Sequence, residues 1–124
     1  MIAASELRPG NIVRLIPLGE WHFVNGTNQT AGLVHLAGNG IWNDEEVIAG
    51  EHLNVRWMNK CGLEWRSNIH RWVHKETGWR VAVNDNGFQN GLGDGSFMQP
   101  YIEYVHQLQN LFHALTGKEL KITI

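Results

Sequence analysis

The sequence has little cysteine, no long apolar run and no excess of basic charge, and each shortage excludes a class of protein. The single cysteine, Cys61, cannot form an intrachain disulfide, which fits a reducing compartment. No apolar run approaches the length of a membrane span, and the N-terminus lacks the basic and then apolar pattern of an export signal. We therefore expect a cytoplasmic protein without a membrane span.

Basic residues do not outnumber acidic ones. Ten Lys and Arg against twelve Asp and Glu give a formal net charge of −2, which argues against non-specific nucleic-acid binding through bulk charge. Motifs for metal and phosphate chemistry are also missing, since there is no HExxH, no cysteine pair and no Walker lysine. No catalytic residue, metal ligand or cofactor is therefore assigned, and a non-enzymatic role is expected.

Tryptophan and glycine, by contrast, are abundant. Tryptophan brings a large apolar area with one N–H donor, and glycine permits turns and positive φ. Six tryptophans and fourteen glycines therefore predict many short strands, tight loops and aromatic-lined surfaces. With 124 residues, of which 43% are apolar, the chain is expected to fold as a single domain over residues 1–124.

Residues 100–120 carry the clearest pattern in the chain. Apolar residues recur there at the spacing of one helix face: Val105, Leu108, Phe112 and Leu115. With Glu103 in the first turn and Gly117 beyond the last turn, the pattern predicts a helix at about 102–115. The opposite face carries His106, Asn110 and His113. These polar residues fit either a solvated face or a hydrogen-bonding stripe aimed at a ligand or a partner subunit.

Short strands are predicted on both sides of a middle helix. Apolar and β-branched runs indicate strands at residues 11–16, 21–24, 31–36, 41–42 and 120–123, with Asn25-Gly26 as a hairpin turn. The best hairpin signal joins residues 69–74 to residues 79–83 through a turn at 75–78. Residues 84–99 are rich in glycine and are predicted to form a long functional or mobile loop.

The apolar period changes after Gly50. Leu53, Trp57 and Cys61 are spaced by four residues, which predicts a helix at about 51–60 with Cys61 as a small core residue. The sequence therefore predicts an α+β fold. Its expected form is a small, mainly antiparallel β-sheet or partly open barrel, with the middle helix (about 51–60) and the C-terminal helix (about 102–115) packed on it.

Arginine and tryptophan alternate in the central part of the chain. Tryptophan can stack on a nucleobase while arginine pairs with a phosphate. The alternative is that the tryptophans lie in the core and the arginines stack on their edges or stay solvated. The candidate ligand-binding residues from this pattern are Trp65, Arg66, Arg71, Trp72, Trp79 and Arg80.

Three segments resemble a known group of proteins. Residues 104–122, YVHQLQNLFHALTGKELKI, are similar to the C-terminal signature of small uncharacterised proteins from prophages and mobile elements of Bacteroidetes, which end in YVHQLQNLYFALTGEEL. Residues 6–13, ELRPGNIV, resemble their usual start, ELRIGNxV, and residues 53–63, LNVRWMNKCGL, resemble their central helix. The resemblance implies a phage or mobile-element origin and a bacterial host cytoplasm, and it carries over no catalytic residue.

Three functions stay open at this point. The first is a phage-encoded, non-enzymatic binding protein that antagonises host defence, by sequestering a nucleotide-like signal or by capping a host protein. Its ligand pocket would lie within one chain or at a subunit interface of a homo-oligomer. The second is a protein–protein interaction module for replication or packaging. The third is a small nucleotide-processing enzyme.

Overall fold

The computed structural model describes residues 1–16, 19–84, 87–90 and 102–123 of the chain. The chain divides into two compact units, which we call the first unit and the second unit. The first unit comprises Met1–His52 and Tyr104–His106, and the second comprises Leu53–Glu103 and Gln107–Ile124. The single domain expected from the chain length stays a prediction.

The first unit is built on a five-stranded antiparallel sheet. Its strands are β1 (Ile12–Leu15), β2 (Glu20–Asn28), β3 (Leu33–Leu36), β4 (Trp42–Asp44) and β5 (Ile48–Gly50). They are arranged in the order β4-β3-β2-β1-β5. Buried apolar side chains of these strands, among them Val13, Val24 and Val34, form a core with Ile2 and Leu7. Along β3, Val34 and Leu36 are buried while Leu33 and His35 are half-buried, which is the alternation of a strand with one face on the core.

The Asn25-Gly26 dipeptide does not form the predicted hairpin turn. Strand β2 continues through it, and pairing with β3 runs from Val24↔Leu36 through Gly26↔His35 to Asn28↔Leu33. Asn25 is the one extra residue between the first two of these pairs, so it forms a β-bulge. The prediction was wrong because neither Asn25 nor Gly26 adopts the positive φ that a type I′ turn requires, so the strand continues through the dipeptide.

The second unit contains a four-stranded antiparallel sheet and most of the helical residues. Its elements are α1 (Val55–Lys60), β6 (Leu63–Arg66), β7 (Arg71–His74), β8 (Arg80–Asn84), β9 (Gly87–Asn90) and, from its third residue onward, α2 (Val105–Thr116). The strands follow each other in the order β6-β7-β8-β9. The α+β class, with antiparallel strands and two helices in the predicted regions, is therefore confirmed. The strands form two sheets where one sheet or barrel was predicted.

The middle helix is shorter than predicted. Asn54 caps it, because its side-chain oxygen accepts the N–H of Trp57 at 3.0 Å, and the first helical residue is therefore Val55. Residues 51–54 are not helical, and His52 forms an isolated β-bridge with Tyr104. Cys61 is buried, as predicted for a core residue.

The C-terminal helix begins three residues later than predicted. Glu103 lies outside it, so the predicted acidic first turn is wrong. Val105, Leu108 and Phe112 are buried as the periodicity predicts, but Leu115 is 48% exposed. His106, assigned to the polar face, is only 3% exposed. The buried stripe is thus rotated towards His106 relative to the predicted one.

Three further predictions, for the hairpin, the C-terminal strand and the glycine-rich loop, can be compared with the structure. The hairpin is confirmed, but its first strand begins at Arg71 because His70 adopts a left-handed φ of 52°. Residues 120–123 form no strand, although the N–H of Thr123 donates to the Lys60 carbonyl at 2.8 Å. Within the predicted loop, Gly87–Asn90 is a strand paired with β8, and residues 85–86 and 91–99 lie outside the described residues.

Both α-helices are short. In the described parts of the chain, no helix has the length and apolar character needed to cross a membrane.

Candidate functional site

The sheet of the second unit separates the predicted arginines from the predicted tryptophans. Trp65 lies directly opposite Trp72 on β6 and β7, and Arg66 lies opposite Arg71. Because successive side chains of a strand point to opposite faces, these two pairs occupy different faces of the sheet. Arg80 lies opposite Val73, which shares the face of Arg71. The three arginines therefore lie on one face, and Trp65 and Trp72 on the other.

The tryptophans differ in exposure. Trp72 and Trp79 are 7% and 2% exposed, so they are core residues, as the alternative interpretation holds. Trp65 is 45% exposed and packs edge-on against Trp72, with ring centroids 5.9 Å apart. Arg66 forms an ion pair with Glu64, in which Arg66 Nη2 lies 2.9 Å from Glu64 Oε1. The structure does not bring the six residues together in one pocket, and their ligand-binding role stays a prediction.

A different part of the second unit forms a cavity of about 850 Å³, which we call the lysine cavity. Four segments line it: the end of α1 with Cys61 and Gly62, His74 with the β7–β8 turn that follows it, Phe112 of α2, and the chain after α2 up to Thr123. The sequence separates the first and last of these segments by about sixty residues, so no local motif marks the site.

Two buried aromatic rings contribute to the base of the lysine cavity. The ring of His74 lies 4.7 Å from that of Phe112 between centroids, and Trp79 packs on the same Phe112 at 5.6 Å. His74 and Phe112 are 6% and 1% exposed, so the base is formed by well-packed side chains.

His74 is fixed by hydrogen bonds from the turn that follows it. Its Nδ1 accepts the N–H of Thr77 at 3.3 Å and lies 3.0 Å from Thr77 Oγ1. The neutral ring therefore carries its proton on Nε2, which faces Gly62, where a Cβ would come within 3.6 Å. Burial lowers the pKa of His74, with partial opposition from Glu76. His74 is thus a neutral donor at physiological pH.

Cys61 also borders the lysine cavity, but its chemistry is suppressed. Burial raises the pKa of its thiol to about 12. Since the thiolate is the nucleophilic form, Cys61 is unreactive at neutral pH. The cavity therefore holds a protonated thiol beside a neutral imidazole.

Lysines dominate the charge at the rim. The chain has four lysines, and three of them, Lys75, Lys118 and Lys121, line the cavity. Within the described residues these three form no ion pair, whereas Glu119 lies 3.8 Å from His113 Nε2. With Glu76 and Glu119 also at the rim, lysine exceeds glutamate by one, and the cavity suits an anion. Three of the four lysines lie at position 75 and within residues 118–121, and this uneven distribution is the sequence signal that could have indicated the site.

The histidines do not gather into a metal centre in the described part of the chain. No group of three His, Cys, Asp or Glu side chains there has the geometry to hold a metal ion.

Comparison of the chain with protein-family models, with curated proteins and with solved structures found no significant match.

Proposed function

We propose that this protein is a non-enzymatic binding protein that holds a small anionic ligand of nucleotide type in the lysine cavity. The observation that carries the proposal is the rim of three lysines, which form no ion pair within the described residues, in a cavity that is also lined by the buried rings of His74 and Phe112. Lysine ammonium groups bind phosphate as point charges, and an aromatic base can contact a planar nucleobase. The two parts of the cavity thus match the two parts of a nucleotide.

The size of the cavity supports a ligand of this kind. Pockets for small molecules and cofactors usually enclose about 300–1,000 Å³, and the lysine cavity, at about 850 Å³, lies within this range. Neutral polar groups also line it, including the Asn59 amide and the Thr77 hydroxyl. Such groups orient a ligand once charge has attracted it. A non-enzymatic role is supported by Cys61, whose thiol stays protonated at neutral pH and is therefore not nucleophilic.

The resemblance to prophage proteins supplies the biological setting of the proposal. A phage product in the bacterial host cytoplasm that binds a nucleotide-like signal would antagonise host defence by sequestering that signal. In this setting the ligand is recovered unchanged, because removal of a signal requires affinity and not turnover.

Isothermal titration with mononucleotides and cyclic oligonucleotides, followed by mass spectrometry of the recovered compound, tests the proposal. We expect at least one nucleotide to bind and to be recovered intact. The Lys118→Gln/Lys121→Gln variant is expected to weaken binding about tenfold or more, since two charge contacts are lost. The matched variant Arg71→Gln/Arg80→Gln removes the same charge from the arginine face and is expected to bind normally.

Each other outcome points to a different function. Loss of binding in the arginine variant alone would place the ligand on the residues predicted from sequence and contradict the lysine cavity. A cleaved nucleotide would indicate a nucleotide-processing enzyme. Failure of every nucleotide to bind, together with capture of a replication or packaging protein, would favour an interaction module.

A further inference from the structure

The first unit carries a second, smaller site on the strands β2, β3 and β4. Gly26, His35 and Trp42 lie side by side on these three strands, since Gly26 pairs with His35 and His35 pairs with Trp42. Together with Asn25 they line a shallow groove of about 300 Å³. We call this the Trp42 groove. Its four lining residues all belong to the first unit.

The Trp42 side chain is exposed to solvent in this groove and is not buried in the core. Its side chain is 51% exposed, although an indole of this size is usually largely buried. The His35 ring packs against it in an edge-to-face arrangement, with centroids 5.2 Å apart and planes at 68°. Gly26 provides no side chain next to it, and a Cβ at that position would lie 3.9 Å from Trp42 Cη2. The indole is thus supported and left accessible.

The polar groups of the groove have defined roles. The Asn25 amide nitrogen lies 3.2 Å from His35 Nδ1, and an amide nitrogen can only donate, so Nδ1 accepts. With Nδ1 as the acceptor, the donor N–H of the His35 ring is Nε2–H. The pair keeps one acceptor, Asn25 Oδ1, and one donor, His35 Nε2–H, for a ligand. A donor and an acceptor beside an aromatic plane match the hydroxyl groups of a sugar.

The charge around the groove argues against an anionic ligand. Residues 20–47, which form these strands and their connections, contain four Asp or Glu and no Lys or Arg. Two of these four carboxylates already accept hydrogen bonds from the backbone: Asp44 accepts the N–H of Glu46 at 2.9 Å, and Glu45 accepts the N–H of Ala4 at 2.8 Å. The groove itself is lined by neutral residues, which does not favour a cation either.

We propose that the Trp42 groove binds an uncharged saccharide, with the sugar ring stacked on Trp42 and its hydroxyl groups bonded to Asn25 and His35. The C–H groups on one face of a pyranose form a flat, weakly positive surface, which fits the negative face of an indole. This site is separate from the lysine cavity in its residues and in its ligand chemistry.

Saturation-transfer NMR and tryptophan fluorescence with cellotetraose and tetra-N-acetylchitotetraose test this proposal. We expect at least one of these neutral oligosaccharides to bind to the full chain. Trp42→Ala should weaken binding roughly tenfold or more, as removal of a stacking aromatic residue does at other sites. Gly26→Val should have the same effect because its side chain fills the groove, and Gly26 has no left-handed φ that would make the substitution strained.

The control is Ile41→Ala, which removes a side chain that is 57% exposed and adjacent in sequence but does not line the groove. It should leave saccharide binding unchanged, while equal loss in Ile41→Ala and Trp42→Ala would reveal a non-specific apolar patch. Two further probes, an oligo-dT octamer and tetralysine, should not compete. Binding of either probe in place of both saccharides would overturn the proposal, as would unchanged binding in Trp42→Ala.

Discussion

Arg14 and Glu51 form a two-point ion pair in the first unit, in which Arg14 Nη2 lies 2.6 Å and 3.0 Å from the two carboxylate oxygens of Glu51. Arg14 Nε also donates to Oε1 at 3.1 Å. The partners are unequally buried, since 40% of the Arg14 side chain is exposed but only 7% of the Glu51 side chain. The two single substitutions should therefore differ in cost.

Arg14→Leu is expected to lower the free energy of unfolding by about 3–5 kcal/mol, because it leaves the buried Glu51 carboxylate without its partner. Glu51→Gln should cost less, about 1–2 kcal/mol, since Arg14 can then turn to water and the amide keeps one acceptor. Urea unfolding monitored by circular dichroism measures both values. Equal losses in the two variants would contradict the unequal burial of the pair.

Phe112→Ala tests the packing of the C-terminal helix in the second unit. The ring is 1% exposed and contacts both His74 and Trp79, so its removal should cost about 3–5 kcal/mol of unfolding free energy. Leu115→Ala, on the same predicted stripe but 48% exposed, should cost less than about 1 kcal/mol. Denaturant titration of the two variants measures both values. Comparable losses of unfolding free energy would show that the buried stripe of the helix is not rotated from the predicted one.

Gly50 is required by the ring that covers it. A Cβ at Gly50 would lie 2.3 Å from Tyr104 Cδ1, so Gly50→Ala should destabilise the fold by about 1–3 kcal/mol. Gly26→Ala is the matched strand control, since its Cβ would meet nothing closer than 3.9 Å, and it should be nearly neutral. In the double variant with Tyr104→Ala, the alanine at position 50 should cost much less. Thermal unfolding of the four proteins would show this coupling, and strict additivity would argue against the contact.

Two buried histidines predict a loss of stability in acid. Burial lowers the pKa of His74 and His106 from 6.5, with partial opposition from Glu76 and Glu6 respectively. Below pH 6.5 the unfolded chain therefore binds more protons than the folded chain, and the free energy of unfolding falls as the pH decreases through this range. Within the described residues His106 Nδ1 has no hydrogen-bond partner, so an added proton there gains no acceptor.

Urea titrations between pH 7.5 and 5 measure this dependence. His106→Gln should flatten the slope, because one of the two titrating groups is removed. If the wild-type protein is as stable at pH 5 as at pH 7.5, the conclusion that burial keeps His74 and His106 neutral is contradicted.

The sequence predicted those features that depend on local periodicity. The position of α2 follows from the spacing of Val105, Leu108 and Phe112, and the β7–β8 hairpin follows from the turn residues between two aliphatic and aromatic runs. The start of α2 was misplaced because Glu103 fits a first helical turn in sequence. In the structure its N–H instead donates to the side chain of Gln107 at 2.8 Å, and Glu103 stays outside the helix.

The candidate sites depend on pairing between distant segments, which periodicity does not report. Trp65 and Arg66 are neighbours in sequence, and only strand alternation places them on different faces. Lys75 and Lys121 meet at one cavity because the chain after α2 returns to α1, where Thr123 bonds to Lys60. No single segment contains enough of the cavity to form a motif.

The bulge at Asn25 allows strand β2 to lose one residue without a change in its pairing with β3. Because Val24 pairs with Leu36 and Gly26 with His35, a deletion of Asn25 would leave the remaining cross-strand partners of β2 and β3 in place. The ladder can therefore gain or lose this residue without turning any core side chain outward. Deletion of Asn25 would therefore remove its amide from the Trp42 groove and leave every core side chain on its own face of the sheet.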